Sequence, residues 1–248
     1  MALSGGVDSS VVASLARDAL GPECVAVTLS GPAVSAREVA RARSVAAAIG
    51  IRHVVLPVDP LVRREYRENP EDRCYYCRGV ETSVLKGFGA AQGVRQYLDG
   101  VHLDDLRDDR PGLRAMEEAG FLHPLAEAGW TKADIREWAR TRGLPNADRP
   151  SDACLASRVH HGEPISRALL GRVEAAESLL LDRGFRRVRV RVRAGAARIE
   201  VDPDEVARLE TEPLATEITE EIRRLGFDPV TIDPGGYGRT RLPVVASP

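Results

Sequence analysis

The string Ser-Gly-Gly-Val-Asp-Ser-Ser, residues 4–10, separates the apolar pair Ala2-Leu3 from a helical run that ends near Leu20. A glycine pair between the end of a strand and the start of a helix lets the backbone turn its N–H groups toward a ligand. The first helical turn adds unpaired donors and the positive end of the helix dipole. An anion such as phosphate is the natural guest, and Ser9 and Ser10 lie in that turn. The string lacks the Gly-Lys-Ser/Thr of a Walker A loop, which argues against γ-phosphate transfer. Taken alone, the two glycines read equally well as an ordinary turn and helix cap. Only Met1, Ala2 and Leu3 precede the loop, against about five or six residues in a usual strand. That shortage predicts a native start upstream of Met1.

Beyond the loop, buried strands alternate with amphipathic helices. CVAVTLS (24–30), HVVLPVD (53–59) and QYLDG (96–100) read as strands, and residues 35–49 carry Val39, Ala42, Val45, Ala46 and Ile49 at helical spacing before Gly50. Repeated β then α order predicts an α/β, doubly wound parallel sheet. The texture changes at RGLPNADRPSDA (142–153), a loop rich in Pro and Asp. A boundary just beyond it gives a first domain over 1–158 and a smaller α+β domain over 159–248. The second contains a helix over 166–183, strands at 186–192, 197–201 and 229–233, and a helix over 215–225.

The 35 Lys and Arg nearly balance 37 Asp and Glu, so any anion site is local and the chain has no bulk drive toward nucleic acid. No apolar run is long enough to span a membrane and no secretory leader precedes the loop, which makes the cytoplasm the default address. Four cysteines are too few for a disulfide scaffold. Cys24 falls in a predicted strand and reads as a small core residue. Cys74 and Cys77 form a Cys-x-x-Cys pair, and Cys154 lies on the loop before the boundary. Spacing alone leaves three readings open: a structural zinc completed by His160 or His161, an iron-sulfur cluster with one iron free of protein ligands, or no metal.

SGGVDSS, RCYYCR (73–78), LDGVHLDDLRDDRPGLRAMEEAG (98–120), HPLAEAGWTKADIREWARTRGLP (123–145) and SDACLASR (151–158) occur in this order. Together they closely resemble the LarE-type ATP-dependent sulfur transferases of the PP-loop (adenine nucleotide alpha hydrolase-like) superfamily. The resemblance implies an enzyme that adenylylates a carboxylate of a nicotinate-derived mononucleotide, releases pyrophosphate and replaces AMP with sulfur, toward a nickel-pincer cofactor. It assigns Ser4, Gly5, Gly6, Asp8, Ser9 and Ser10 to pyrophosphate, and Asp99, Gly100, Asp104 and Asp105 to nucleotide and Mg²⁺. Val101-His102-Leu103 stands where the family commonly has Thr-Asn-Ala. Arg110 is implied as a phosphate-charge stabiliser, and Ser157 and Arg158 as orienting groups beside the site cysteine Cys154. Cys74, Cys77 and Cys154 are implied as ligands of a [4Fe-4S] cluster, with zinc as the rival.

In the second domain Arg187, Arg189, Arg191 and Arg193 alternate with Val188, Val190 and Val192, so the arginines share one strand face. Such a face is usually solvated. The resemblance instead assigns Arg189 and Arg191, with Glu177, to the substrate. It also implies companion cofactor-biosynthesis proteins and a homo-oligomer. Departures at VHHG (159–162) and in the terminal GYGRTRLP (236–243) bear on substrate identity more than on reaction class. Two other readings are a tRNA thiolase or amidotransferase-like PP-loop enzyme, and a nucleotide-binding module with structural zinc that releases no pyrophosphate.

Overall fold

A computed structural model describes residues 1–107 and 110–238. The chain divides into two compact units, Met1–Cys154 and Leu155–Pro248.

The first unit is built on a parallel sheet. After helix α1 (Val7–Leu20) come β1 (Val25–Ser30), α2 (Ala36–Ile49) and β2 (Arg52–Pro57). A short α3 (Arg64–Arg67) and a long α4 (Arg73–Ala91) lead to β3 (Tyr97–Leu98), α5 (Pro111–Glu118), β4 (Phe121–Leu122), α6 (Pro124–Glu127) and α7 (Lys132–Thr141). Strand β1 runs parallel to β2, with Val25 opposite Arg52, and β3 parallel to β4. The segment Met1–Leu3 joins the two pairs: Leu3 N–H donates to Val27 O at 2.8 Å, and Ala2 N–H donates to Leu98 O at 2.9 Å. The order across the sheet is therefore β2, β1, Met1–Leu3, β3, β4. The direction of winding reverses between Met1–Leu3 and β3, the place where open α/β sheets part to admit a ligand.

Alternation along β1 explains the two layers. Ala26 packs with Leu3, Ala42, Val45 and Ala46 under α1 and α2, with Cys24 in the same core. Val25 and Val27 face Leu85, Met116 and Phe121 on the other side. The helix expected before Gly50 opens with a capping box, in which Ser35 and Glu38 satisfy each other's backbone N–H groups. It closes on Gly50 in the left-handed region.

In the second unit, α8 (Arg167–Asp182) is capped by Ser166, whose hydroxyl accepts from Leu169 N–H. It precedes β5 (Val188–Arg193), β6 (Ala196–Val201), α9 (Val206–Leu209), α10 (Leu214–Arg224) and β7 (Val230–Ile232). Strands β5 and β6 form an antiparallel hairpin through Ala194 and Gly195, both at positive φ, while β7 lies parallel to β6. Two consecutive positive φ values make the tight turn whose twist matches that of a hairpin. Val188, Val190 and Val192 bury one face of β5 in the core with Leu170, Val173 and Ile222. The turn Leu155–Arg158 belongs with this unit, because Arg158 pairs with α8 and Val159 bridges to Val192. Residues 239–243 of the terminal motif lie outside the described residues.

Candidate active site

The glycine loop leaves the central strand and opens α1. Gly5 has φ of +80°, and a Cβ there would lie 3.0 Å from Ala42 N, so both conformation and space call for glycine. Gly6 caps α1 without any side-chain hydrogen bond, which leaves the first-turn N–H groups available to an anion. The loop braces itself: Ser10 Oγ donates to Gly6 O at 2.7 Å, and Ser9 Oγ accepts from Ser4 N–H at 3.2 Å. A distant residue completes the brace. Buried Asn146 donates from Nδ2 to Gly5 O and to Ser10 Oγ, each at 2.9 Å.

The strand on the other side of the sheet's reversal supplies the acidic wall. A Cβ on Gly100 would approach Ser9 N to 2.6 Å, so the segment after β3 passes directly over the first turn of α1. This contact brings Asp99–Asp105 to Asp8. Lys132, the first residue of α7, reaches both oxygens of Asp8 at 2.5 and 2.6 Å, and its backbone N–H donates to Asp104 Oδ2 at 2.9 Å. Arg110 bonds Asp105, and Arg107 lies 3.4 Å from Asp104. Asp99 is buried and receives Val101 N–H at 3.0 Å and the ring Nδ1 of His123 at 2.7 Å. That hydrogen bond holds the His123 imidazole above its ordinary pKa. Carboxylates and cations thus alternate around a crevice whose floor is a helix N-terminus. The arrangement suits a polyphosphate: amides and cations for its oxygens, carboxylates for an accompanying hard cation.

Among the described residues no three His, Cys, Asp or Glu side chains converge into a metal-holding group. That is compatible with Mg²⁺, which keeps waters and is held by one or two carboxylates together with substrate phosphates. Of the cysteines, Cys74 is exposed on the first turn of α4, and Cys77 and Cys154 are half-buried. Spacing of three along a helix places Cys74 and Cys77 on one face. Cys77 Sγ lies 3.4 Å from Glu81 Oε1; burial first, then the Glu81 charge and the nearby Cys154, push its thiol far up. Soft sulfur donors match the ligand chemistry of an iron-sulfur cluster or zinc, although the three do not meet around one point here.

In the second unit the arginine face is only partly solvated. Arg189 is 5 % exposed and, with Arg187, stacks over the ring of Tyr237, a residue whose backbone N–H donates to Val201 O. Arg191 is half-exposed, 3.1 Å from Glu200 Oε2 and 3.1 Å from Ser157 O. Arg187 precedes β5 and pairs with Asp202, while Arg193 is exposed. Glu177 sits on α8 beneath β5, where Arg158 donates to both its oxygens at 2.8 and 3.0 Å and Val190 N–H donates to Oε1 at 3.0 Å.

Sequence reasoning did not single out Lys132, His123 or Asn146. The Thr131-Lys132-Ala133-Asp134 capping signature was available as a signal for the start of α7, though not for what Lys132 faces.

The family model for NAD synthase matches residues 1–76, the span from the loop through the first two parallel strands. An uncharacterised protein of Synechocystis is 38 % identical over 98 % of this chain and 90 % of its own. The pyridinium-3,5-bisthiocarboxylic acid mononucleotide synthase of Lactiplantibacillus plantarum is 32 % identical over 98 % of this chain and 87 % of its own. A tRNA-specific 2-thiouridylase of Azorhizobium caulinodans is 32 % identical, but the match covers 73 % of this chain and 57 % of that protein. Full-length similarity to the mononucleotide synthase and a nucleotide loop shared with NAD synthases lead to one assignment: the chain belongs to the LarE family of PP-loop, ATP-using sulfur transferases.

Proposed function

We propose that the enzyme activates a carboxylate of a pyridinium mononucleotide as its acyl-adenylate and then exchanges AMP for sulfur. A substrate carboxylate oxygen attacks the α-phosphorus of ATP; the new P–O bond forms as the α–β bridging bond breaks, and pyrophosphate departs. Sulfur then attacks the activated carbonyl carbon, a C–S bond forms, and AMP leaves with the electrons of the C–O bond. The observation that carries the first step is the uncapped N-terminus of α1 facing Lys132, Asp8, Asp104 and Asp105. The loop amides would hold the leaving pyrophosphate, and one or two of Asp8, Asp104 and Asp105 would hold Mg²⁺ together with the phosphates. Lys132 and Arg110 then turn from Asp8 and Asp105 to phosphate oxygens. The sulfur step and the substrate class are supported by similarity to the bisthiocarboxylic acid mononucleotide synthase of Lactiplantibacillus plantarum.

Arg189 and Arg191 are assigned to the mononucleotide phosphate, since Arg191 keeps part of its fork exposed beside Ser157. Arg158 and Glu177 act through the position of β5 and the Ser157 turn. Cys74, Cys77 and Cys154 are assigned as ligands of a [4Fe-4S] cluster. A cluster held by these three thiolates would supply the sulfur for the exchange and so spare Cys154. Placement in nickel-pincer cofactor synthesis, a homo-oligomeric state and companion pathway proteins accompany this reading.

Product analysis tests it. Anaerobically prepared protein with ATP, Mg²⁺ and the pyridinium mononucleotide is expected to form AMP and pyrophosphate in equal amounts, and to hold iron and acid-labile sulfide. ADP as the sole nucleotide product refutes the activation step. One zinc without sulfide, or a Cys154 peptide lighter by hydrogen sulfide after turnover, refutes the cluster. A tRNA requirement for pyrophosphate release would favour the thiouridylase-like reading.

A further inference from the structure

Asn146 is 3 % exposed, and the partners of its amide fix which way that amide points. Gly5 O can only accept, so Nδ2 faces it, at 2.9 Å. The Ser10 hydroxyl gives its hydrogen to Gly6 O at 2.7 Å, so its oxygen accepts the second Nδ2 hydrogen, also at 2.9 Å. Both donors of one side chain are committed to the glycine loop. Oδ1, by contrast, is buried with no hydrogen bond. A dry acceptor costs stability, so the use of an amide here lies in its two donors. Ser10 is itself fully buried, which makes it a link between Asn146 and the loop rather than a group that faces a ligand.

Asn146 also begins the segment that leads to Cys154. Arg149 N–H donates to Asn146 O at 3.2 Å, and Arg136 on α7 donates to Ala147 O at 3.3 Å and to Arg149 O at 3.1 Å. At the far end, Arg41 on α2 donates to Asp152 Oδ2 at 3.3 Å, two residues before Cys154. Arg41 precedes Ala42, the residue whose backbone Gly5 packs against. The segment therefore closes a circuit that starts at the Gly5 carbonyl, runs through Asn146 to Asp152 and Arg41, and returns to Gly5 at Ala42. A ligand that immobilises the loop amides immobilises Gly5, and with it both ends of the circuit. We propose that Asn146 is a positioning residue that couples occupancy of the phosphate loop to the order of the segment carrying Cys154, so that this segment tightens when pyrophosphate fills the loop. Asn146 acts through Gly5 and Ser10. Coupling of this kind is reciprocal: if the ligand strengthens the tie by some factor, loss of the tie weakens the ligand by the same factor. The inference rests on the reading of the loop as a pyrophosphate site and of Cys154 as part of the sulfur chemistry. It adds how the state of the first reaches the second.

The test uses the full chain with Mg²⁺ and inorganic pyrophosphate, with binding read by calorimetry and backbone amide exchange read by mass spectrometry of peptides. Pyrophosphate is expected to slow exchange at residues 4–10, and at 147–154 by about three- to tenfold, the factor that one ordinary hydrogen bond supplies. In Asn146→Leu, similar in size but without donors, the slowing at 4–10 should persist at saturating pyrophosphate. The slowing at 147–154 should vanish, and affinity should fall by the same factor. A brace without coupling would speed exchange in the segment equally with and without pyrophosphate; an unchanged ratio in Asn146→Leu therefore overturns the proposal. Arg41→Gln cuts the far tie without touching the loop, and it serves as well should Asn146→Leu fail to fold. It should lose the slowing at 151–154 and keep it at 147–149; full slowing at 151–154 in that variant overturns the circuit. Pyrophosphate that binds and protects 4–10 but leaves 147–154 unchanged in the native chain overturns the coupling alone. Pyrophosphate that does not bind overturns the loop as an anion site and this inference with it.

Discussion

Both units gather opposite charges, but the crevice of the first and the base of the second hold them differently. Lys132 and Asp8 meet with side chains 28 % and 25 % exposed, on separate elements of the crevice. Arg158 and Glu177 meet at 3 % and 8 %, sealed between α8 and β5. A half-exposed pair gains little from its own attraction because water screens it, and it opens readily when a better partner arrives. A buried pair has lost its water and cannot separate without leaving a bare charge. The first arrangement suits a site that exchanges ions with a ligand, and the second suits a brace that fixes where the arginine strand lies.

The sharpest break of this contrast is Arg158→Met. It strands the Glu177 carboxylate, whose remaining contact is Val190 N–H, and should lower unfolding free energy by about 3–5 kcal/mol in urea titration. A loss below about 1 kcal/mol would remove the brace. Lys132→Met should behave in the opposite way. Stability should move by no more than about 1 kcal/mol, while pyrophosphate release should fall by about 10²- to 10³-fold, as when a preorganised charge stabiliser is removed. Full activity in that variant would make the Asp8 pair a surface contact only.

The smallest effect concerns pH. Hydrogen bonding to Asp99 raises the His123 pKa above its ordinary 6.5. A raised folded-state value means that its stabilisation is fully present below about pH 6.5 and is lost as pH climbs through the folded value. Wild type minus His123→Gln stability should therefore shrink from pH 5.5 to pH 9; a flat difference would mean that the ring is not charged in the folded state.

Local chemistry explains why some of this was legible. The glycine loop, the Ser35 cap and Gly50, and the valines of β5 each announce themselves within a few neighbouring residues. The helix around Cys74 and Cys77 was not read, since only their pairing stands out in the sequence. Lys132 and Asp8 are 124 residues apart, and Asn146 lies 141 residues beyond Gly5, so no window along the chain contains either contact. Alternation placed the arginines of β5 on one face correctly but could not grade them. Arg189 is buried because the Tyr237 segment folds back over that face and bonds β6.

By itself, the order of strands and helices determined a parallel sheet with an anion-ready loop, because backbone sterics and burial act between near neighbours. The reversal of winding beside Met1–Leu3 then brought a second strand's acidic segment over that loop. Only tertiary structure decided which cation faces which carboxylate, whether the pair is wet or sealed, and that a buried asparagine braces the glycine loop. Those outcomes depend on distances and solvent exclusion created when remote segments pack, which composition and periodicity do not encode.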